Sequence, residues 1–230
     1  MCGIMAYVGN KPAKDVILLG LRRLEYRGYD SAGIALLDDG VTTTKVVGAT
    51  DNIDVDSITS DARVGIGHTR WATHGEPSVV NAHPHTFGRV TLVHNGIIEN
   101  YEDLKERIDT TQLQSQTDSE VLAGVIDSYY VDGVSLLKAT KRALANVKGT
   151  FGLAIISPDE PGQIIVARRG SPIVIGVGDG RYYIASDSAA IVDHTDKVIY
   201  LKDDQIAVVK SDSLALYDLK LNHQTVRMET

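Results

Sequence analysis

The sequence has 230 residues, of which 43% are hydrophobic and 23% are charged, with a formal net charge of −7 at pH 7. These values predict a globular protein of one domain or two small ones, and the negative charge argues against binding to nucleic acid. No apolar run approaches the roughly 20 residues of a membrane-spanning helix, and no signal-peptide pattern opens the chain. A single cysteine also fits a reducing compartment, so we expect a cytoplasmic protein.

Hydrophobic periodicity predicts short strands and one helix in the first part of the chain, followed by a long irregular segment. The predicted elements are a strand over 3–8, a helix over 13–26, a hairpin of strands over 32–38 and 41–48, a strand over 64–68 and a strand over 89–94. Residues 69–89 show no period. Long irregular segments in compact domains are usually functional or disordered, and the tryptophan and histidines of this one argue against disorder.

Helices dominate the centre of the chain, and strands dominate its last third. Residues 100–108 look helical, the capping box Thr117-Asp-Ser-Glu120 opens a second helix, and a third over 134–147 is closed by Gly149. Seven strands are predicted after that, over 151–157, 163–169, 173–177, 182–187, 197–201, 205–210 and 214–218. This order predicts two stacked, mostly antiparallel sheets with helices on both outer faces.

Cys2 is the only cysteine and directly follows Met1. A small second residue permits removal of Met1, which would leave Cys2 with a thiol and a free α-amine on adjacent carbons. The unperturbed pKa values of these groups are about 8.5 and about 7.7–8.0, so a neutral amine can take the thiol proton near neutral pH. The alternative is that Cys2 is an incidental small apolar residue.

Two arginines stand out in unusual segments. Arg27 lies beside Asp30 in a glycine-rich turn, which could be a site or a solvated corner. Arg70 begins a run of five residues that also contains Trp, Thr and His and follows no period. Because a guanidinium binds both oxygens of a carboxylate, Arg70 is a candidate ligand for a carboxylate, with a structural salt bridge as the alternative.

The dipeptide Asn95-Gly96 has two interpretations. Between two apolar runs, Asn-Gly is a strong signal for a hairpin turn. The functional interpretation is an oxyanion hole, because a side-chain amide and a backbone N–H can both donate to a developing negative oxygen.

Five of the seven histidines lie between residues 68 and 94 and raise the question of a metal site. They include no His-Glu-x-x-His spacing, and neither a second cysteine nor a dense acidic run accompanies them. We therefore expect no metal and no cofactor, and a metal-dependent hydrolase is a distant alternative.

Together these segments resemble the glutaminase domain of the glucosamine-6-phosphate synthase family, a class II glutamine amidotransferase. The matching motifs are Cys2-Gly-Ile4, Tyr26-Arg-Gly-Tyr-Asp-Ser-Ala-Gly33, His68-Thr-Arg-Trp-Ala-Thr-His-Gly75, His94-Asn-Gly96 and Thr117-Asp-Ser-Glu120. The resemblance implies the α+β class and an N-terminal-nucleophile hydrolase, a four-layer αββα sandwich of two mainly antiparallel sheets. It also implies that residues 1–230 form a single glutaminase domain.

The resemblance further implies roles at the reacting centre. Cys2 would be the nucleophile, and its freed α-amine would be the general base. Asn95 and the N–H of Gly96 would form the oxyanion hole, and Arg27 would lie near the nucleophile.

The substrate implied by the resemblance is L-glutamine. Arg70 would bind its α-carboxylate, with Thr73 and His74 lining that pocket, and Asp118 would receive its α-ammonium. Trp71 is similar to the residue that gates the ammonia channel in the whole enzyme.

The neighbouring amidophosphoribosyltransferase family typically has Gln at the position of Tyr29 and Tyr at that of Trp71, so these two residues favour the aminosugar family. The sugar isomerase part that would accept the ammonia is not expected in this sequence. The full-length enzyme is expected to be a homo-oligomer. A non-enzymatic alternative is a module that binds glutamine without hydrolysing it.

Overall fold

Two antiparallel sheets stack face to face at the centre of the molecule, and helices cover their outer faces. The computed structural model describes residues 2–71 and 76–230. The strands are β1 (Gly3–Val8), β2 (Ser31–Leu37), β3 (Val41–Val47), β4 (Val64–Arg70), β5 (His85–Phe87), β6 (Val90–Ile98), β7 (Gly149–Ile156), β8 (Gln163–Arg169), β9 (Val174–Gly178), β10 (Arg181–Ala185), β11 (Val198–Tyr200), β12 (Gln205–Lys210) and β13 (Leu214–Asp218). The helices are α1 (Ala13–Leu24), α2 (Tyr101–Lys105), α3 (Asp118–Tyr129) and α4 (Leu136–Leu144).

The first sheet has the order β11-β9-β10-β1-β4-β2-β3, and the second has the order β13-β12-β8-β7-β6-β5. Helix α1 packs on the first sheet, whereas α3 packs on the second sheet and against α4. One apolar core lies between the two sheets. A second lies between the first sheet and α1, and a third lies between the second sheet and the helices that cover it. The predicted αββα sandwich is therefore confirmed.

Strand β1 shows how the sequence builds this sandwich, because it is buried on both faces. Ile4 and Ala6 belong to the core between the sheets, while Met5 and Tyr7 belong to the core under α1. Side chains alternate across a strand, so a continuous apolar run satisfies both cores at once. Burying a large apolar side chain contributes about 1.5–3 kcal/mol, so these residues hold β1 firmly in place. Cys2 directly precedes the first residue of β1 and is therefore fixed at the end of this strand.

The hairpin interpretation of Asn95-Gly96 is wrong. Strand β6 continues through both residues, which pair with Gly152 and Phe151 of β7. Gly96 has a φ of +135°, and a Cβ there would lie 2.2 Å from the Thr150 carbonyl oxygen, so the position requires glycine. The pairing with β7 overrides the local turn signal.

Other boundaries also differ from the prediction. Within the segment expected to be irregular, β4 extends to Arg70 and β5 forms over His85–Phe87. Gly149 does not close a helix but begins β7, with a φ of +112°. Thr117 caps α3 by accepting from the Glu120 N–H, as the capping box predicts.

No helix in residues 2–71 or 76–230 is long and apolar enough to cross a membrane.

Candidate active site

Cys2 lies where the two sheets meet, because β1, β4 and β6 end or pass beside it. The Trp71 N–H, directly after β4, donates to the Cys2 Sγ at 3.3 Å, and the thiol lies 3.6 Å from the Trp71 carbonyl oxygen. The Cys2 carbonyl oxygen accepts from Arg27 Nε at 3.1 Å and from Asn95 Nδ2 at 3.0 Å. Four hydrogen-bonding groups from three distant segments therefore fix this residue.

The contact between Arg27 and Cys2 depends on a close approach between the backbone at Gly28 and the backbone at the end of β4. Helix α1 ends at Leu24 and a 3₁₀ turn over Glu25–Arg27 follows it. A Cβ at Gly28 would lie 2.7 Å from the Trp71 nitrogen, so only glycine lets this turn pack against the end of β4.

The environment of the thiol keeps it protonated near neutral pH. Burial raises the pKa of Cys2 above its ordinary value, while the Trp71 N–H and the charges of Arg70 and Arg27 oppose that effect more weakly. A thiol is a poor nucleophile until it loses its proton. Attack by this sulfur would therefore need a base next to it, and the sequence predicts the freed α-amine of Cys2 for that role.

His68 sets the orientation of the Asn95 amide. His68 Nε2 lies 3.0 Å from Asn95 Oδ1 and 3.1 Å from the His94 carbonyl oxygen, and both partners are acceptors, so Nε2 carries the proton. The Asn95 NH₂ therefore faces Cys2 and uses one N–H on its carbonyl oxygen. A side-chain amide has a second N–H, which is available to an oxyanion that forms at the thiol.

A cation and an anion lie on the same small cavity as the thiol. Arg70 is the last residue of β4 and is 4% exposed, and Asp118 is the first residue of α3. The Ile98 N–H donates to Asp118 Oδ2 at 2.7 Å and fixes the carboxylate. Burial lowers the pKa of Arg70, and the neighbouring Cys2, Asp30 and Asp118 oppose this. Such a pair suits a zwitterion.

Two cavities meet at the thiol. The cavity with Arg70 and Asp118 measures about 40 Å³, and an adjoining, more apolar cavity measures about 250 Å³. Cys2, Trp71 and Gly96 line both of them. A ligand held by its charged end in the first cavity therefore passes the thiol as it extends. A larger cavity of about 730 Å³, beside Lys45, does not contain the thiol.

Four buried histidines lie next to the site and contact residues of the site or their neighbours. They are His68, His83, His85 and His94. His83 Nε2 and His94 Nδ1 each lie 2.9 Å from the Ser119 hydroxyl, next to Asp118 in α3. Burial lowers the pKa of all four, so they are neutral at pH 7. Across residues 2–71 and 76–230, no group of three or more His, Cys, Asp or Glu side chains could hold a metal.

Acid should destabilise the protein through these histidines. The folded-state pKa of His68 is about 3, against about 6.5 in an unfolded chain, so its contribution is complete above pH 6.5 and is lost as the pH falls toward 3. Within that window His68 alone lowers the free energy of unfolding by about 1.4 kcal/mol per pH unit. Urea unfolding at about pH 7.5 and about pH 5.5 measures this loss.

The variant His68→Gln should lose less stability than the wild type between those two pH values. The control His223→Gln removes an exposed histidine and should keep the full loss. Equal pH dependence in the wild type and in His68→Gln would contradict a neutral His68 in the fold.

The structure brings together Cys2, Arg27, Arg70, Trp71, Asn95, Gly96 and Asp118 from the residues that the sequence singled out. Thr73 and His74 lie outside the described residues, so their roles stay predictions. Trp71 is half-exposed, and its ring meets that of Tyr29 edge-on at 6.4 Å. Sequence reasoning gave no functional role to His68 or Asp187. His68 is the first residue of the motif that contains Arg70, but no sequence pattern marks Asp187.

A family model described as "Glutamine amidotransferase domain" matches residues 51–227. The chain is similar over almost its whole length to proteins named glutamine–fructose-6-phosphate aminotransferase [isomerizing]. Identity is 46% to the protein of Chlorobaculum tepidum, 45% to that of Methanosarcina acetivorans and 41% to that of Clostridium tetani, over 99%, 95% and 95% of this chain. The chain spans only 39%, 38% and 37% of these relatives' lengths.

Solved structures show the same fold. The glutamine phosphoribosylpyrophosphate amidotransferase of B. subtilis, complexed with ADP and GMP, superposes with a TM-score of 0.81 at 25% identity. The match covers 96% of this chain and 50% of that one. A glutamine aminotransferase class-II domain protein from Silicibacter pomeroyi has a TM-score of 0.65 at 16% identity, which speaks for the fold alone.

Proposed function

Because the chain belongs to the glutamine amidotransferase domain family, we propose that it hydrolyses the side-chain amide of L-glutamine through a thioester on Cys2. The observation that carries this proposal is the placement of one thiol between Asn95 and the cavity of Arg70 and Asp118. A nucleophile, an oxyanion donor and a receptor for a zwitterion thereby meet at one point.

The reaction begins with removal of Met1. The freed α-amine takes the proton of the Cys2 thiol, and the thiolate attacks the amide carbon of glutamine. The carbonyl oxygen becomes an oxyanion, which accepts from the second N–H of Asn95 and from the N–H of Gly96. The ammonium of Cys2 returns its proton to the leaving nitrogen, and ammonia departs from a thioester.

Water completes the cycle. The α-amine, neutral again, takes a proton from a water molecule that attacks the thioester carbonyl. The same donors stabilise the second oxyanion, and its collapse releases glutamate and the thiol. The balance is one glutamine and one water to one glutamate and one ammonium, since the ammonia takes up the proton that the new carboxyl group releases, and no cofactor takes part.

Arg70 and Asp118 act on binding in this scheme, since each meets a charge that glutamine carries before and during the reaction. Replacing either residue with alanine should raise the KM for glutamine by about 10²-fold or more and change kcat less, because loss of uniform binding affects KM first. Steady-state ammonia release measures both constants. The control Arg22→Ala removes an exposed arginine paired with Asp51 and should leave both unchanged. A fall in kcat at constant KM would contradict these roles.

We propose that residues 1–230 form a single glutaminase domain of a longer cytoplasmic enzyme. By analogy with the names of its relatives, the ammonia would aminate fructose 6-phosphate on a sugar isomerase domain and give glucosamine 6-phosphate, in a homo-oligomer. The chain alone should then release ammonia to solvent and form no amino sugar. Assays of the chain with and without fructose 6-phosphate test this, and amino-sugar formation by the chain alone would contradict it.

The second candidate is the glutaminase domain of a purine-pathway amidophosphoribosyltransferase, favoured by the structural similarity to the B. subtilis enzyme. Tyr29 and Trp71, whose rings meet edge-on, favour the aminosugar family instead. Ammonia transfer by the natural full-length protein to fructose 6-phosphate or to phosphoribosylpyrophosphate separates the two. Retention of Met1 in cells, with glutamine binding but no hydrolysis, would instead indicate a binding module.

A further inference from the structure

An ion pair between buried Arg27 and partly exposed Asp187 lies next to Cys2. Arg27 is only 8% exposed, and its Nη1 donates to Asp187 Oδ2 at 3.0 Å. The same guanidinium donates through Nε to the Cys2 carbonyl oxygen at 3.1 Å. One planar group therefore connects the nucleophilic residue to a carboxylate that lies 160 residues from Arg27 in the sequence.

Asp187 is itself held in one orientation. The Tyr26 hydroxyl donates to its Oδ2 at 2.8 Å, and the Ala189 N–H donates to its Oδ1 at 3.0 Å. Burial raises the pKa of Asp187, but these hydrogen bonds and the charge of Arg27 outweigh it and lower the pKa below its ordinary value. The carboxylate is therefore ionised, and both of its oxygens have donors.

The segment that carries Asp187 is also fixed to the strand that follows Cys2. The Ile4 N–H donates to Ser186 Oγ at 2.9 Å, and the Ser186 N–H donates to the Ile4 carbonyl oxygen at 3.1 Å. A displacement of Asp187 relative to Cys2 would break this pair of bonds. Asp187, Arg27 and Cys2 therefore form one rigid arrangement.

We propose that Asp187 is a positioning residue with two effects: it fixes the Arg27 guanidinium against the Cys2 carbonyl, and its negative charge offsets the positive charge of Arg27 at the thiol. This inference rests on the proposed function. When Asp187 is neutralised, the buried Arg27 keeps its charge and loses one of the contacts that fix its position. Arg27 already stabilises the thiolate, so Arg27 without Asp187 would do so more strongly while holding Cys2 less well.

The test uses alkylation of Cys2, which is the only cysteine of the chain and so reports without ambiguity. The rate of reaction with iodoacetamide is measured against pH on Met1-free protein, since only the thiolate reacts. Asp187→Asn should alkylate about threefold to tenfold faster than the wild type on the acid side of the profile, because loss of a nearby negative charge favours the thiolate. The other charged groups near the thiol are the free α-amine of Cys2, Arg70 and Asp118, and they are the same in every variant.

Three further variants complete the cycle. Arg27→Gln should alkylate more slowly than the wild type on the acid side, the double variant Arg27→Gln with Asp187→Asn should return close to the wild-type profile, and Asp187→Glu should keep it. The control is Asp193→Asn, which removes the carboxylate that pairs with Arg23. It should leave the alkylation profile of Cys2 unchanged.

Turnover provides the second readout. Asp187→Asn should lower kcat for glutamine by about tenfold at unchanged KM, because the nucleophile is less well placed, and Asp187→Glu should recover most of it. A loss of turnover with no shift of the alkylation profile would reduce Asp187 to a structural role and overturn the proposal. If Asp187→Asn does not fold, Arg27→Gln and the double variant still decide, since identical profiles for them overturn it as well.

The two proposals fail in different ways. Alkylation needs no glutamine, so wild-type protein without glutaminase activity would contradict the proposed function and leave the alkylation cycle to decide on Asp187.

Discussion

Cys2→Ala is expected to lower glutamine turnover by about 10⁴-fold or more, because the variant has no atom that can form the thioester. Steady-state release of ammonia and glutamate by Met1-free protein measures the effect. Glutamine binding should persist, since Arg70 and Asp118 lie on the adjoining cavity and do not depend on the thiol. Titration calorimetry of the variant checks this and shows at the same time that the site is intact.

Cys2→Ser is the matched control for the loss. It keeps a nucleophilic oxygen in nearly the same place, but a hydroxyl ionises far less readily than a thiol, so turnover should also be very low. Its fold and its affinity for glutamine should match those of the alanine variant. Equal turnover in the wild type and in Cys2→Ala would mean that the reaction does not pass through Cys2.

Asn95→Ala should lower kcat by about 10²- to 10³-fold with little change in KM, because its second N–H meets a charge that exists only in the transition state. The same substitution removes a bond to the Cys2 carbonyl oxygen, so the loss includes some displacement of the nucleophile. Asn95→Asp tests the oxyanion role further: it preserves the size of the side chain, loses both hydrogen bonds and places a negative charge beside the oxyanion.

Asn95→Asp should therefore be at least as inactive as Asn95→Ala. The variant His68→Gln keeps a donor for Asn95 Oδ1 and should retain most of the turnover. If Asn95→Ala raised KM and left kcat unchanged, Asn95 would be a substrate-binding residue and not an oxyanion donor.

Periodicity within the sequence predicted the layers well, because they depend on local patterns. The run from Ile4 to Tyr7 has to be buried on both faces, and only a strand between a second sheet and a helix does this. The turn signal at Asn95-Gly96 misled for the converse reason. Whether a strand turns or continues depends on its partner, and β7 lies more than 50 residues away in the sequence.

The site was predictable where its residues form motifs and not where contacts create it. Arg70 stood out because its segment follows no period, and Asp118 was singled out through the resemblance of its Thr-Asp-Ser-Glu motif to the family. Asp187 did not, because an acidic residue after a strand is commonplace until the fold brings it to Arg27. His68 lay in a visible motif, but its use of Nε2 to orient Asn95 follows only from the approach of β4 to β6.

Mass spectrometry of the amino-terminal peptide tests the central claim most directly. The protein is incubated with a glutamine analogue that carries a diazoketone in place of the side-chain amide, and the label is located. We predict one label per molecule, on Cys2 of Met1-free chains only, prevented by excess glutamine and formed in parallel with the loss of ammonia release. Hydrolysis of glutamine by chains that retain Met1, or inactivation with Cys2 unlabelled, would contradict a free amino-terminal cysteine as the nucleophile.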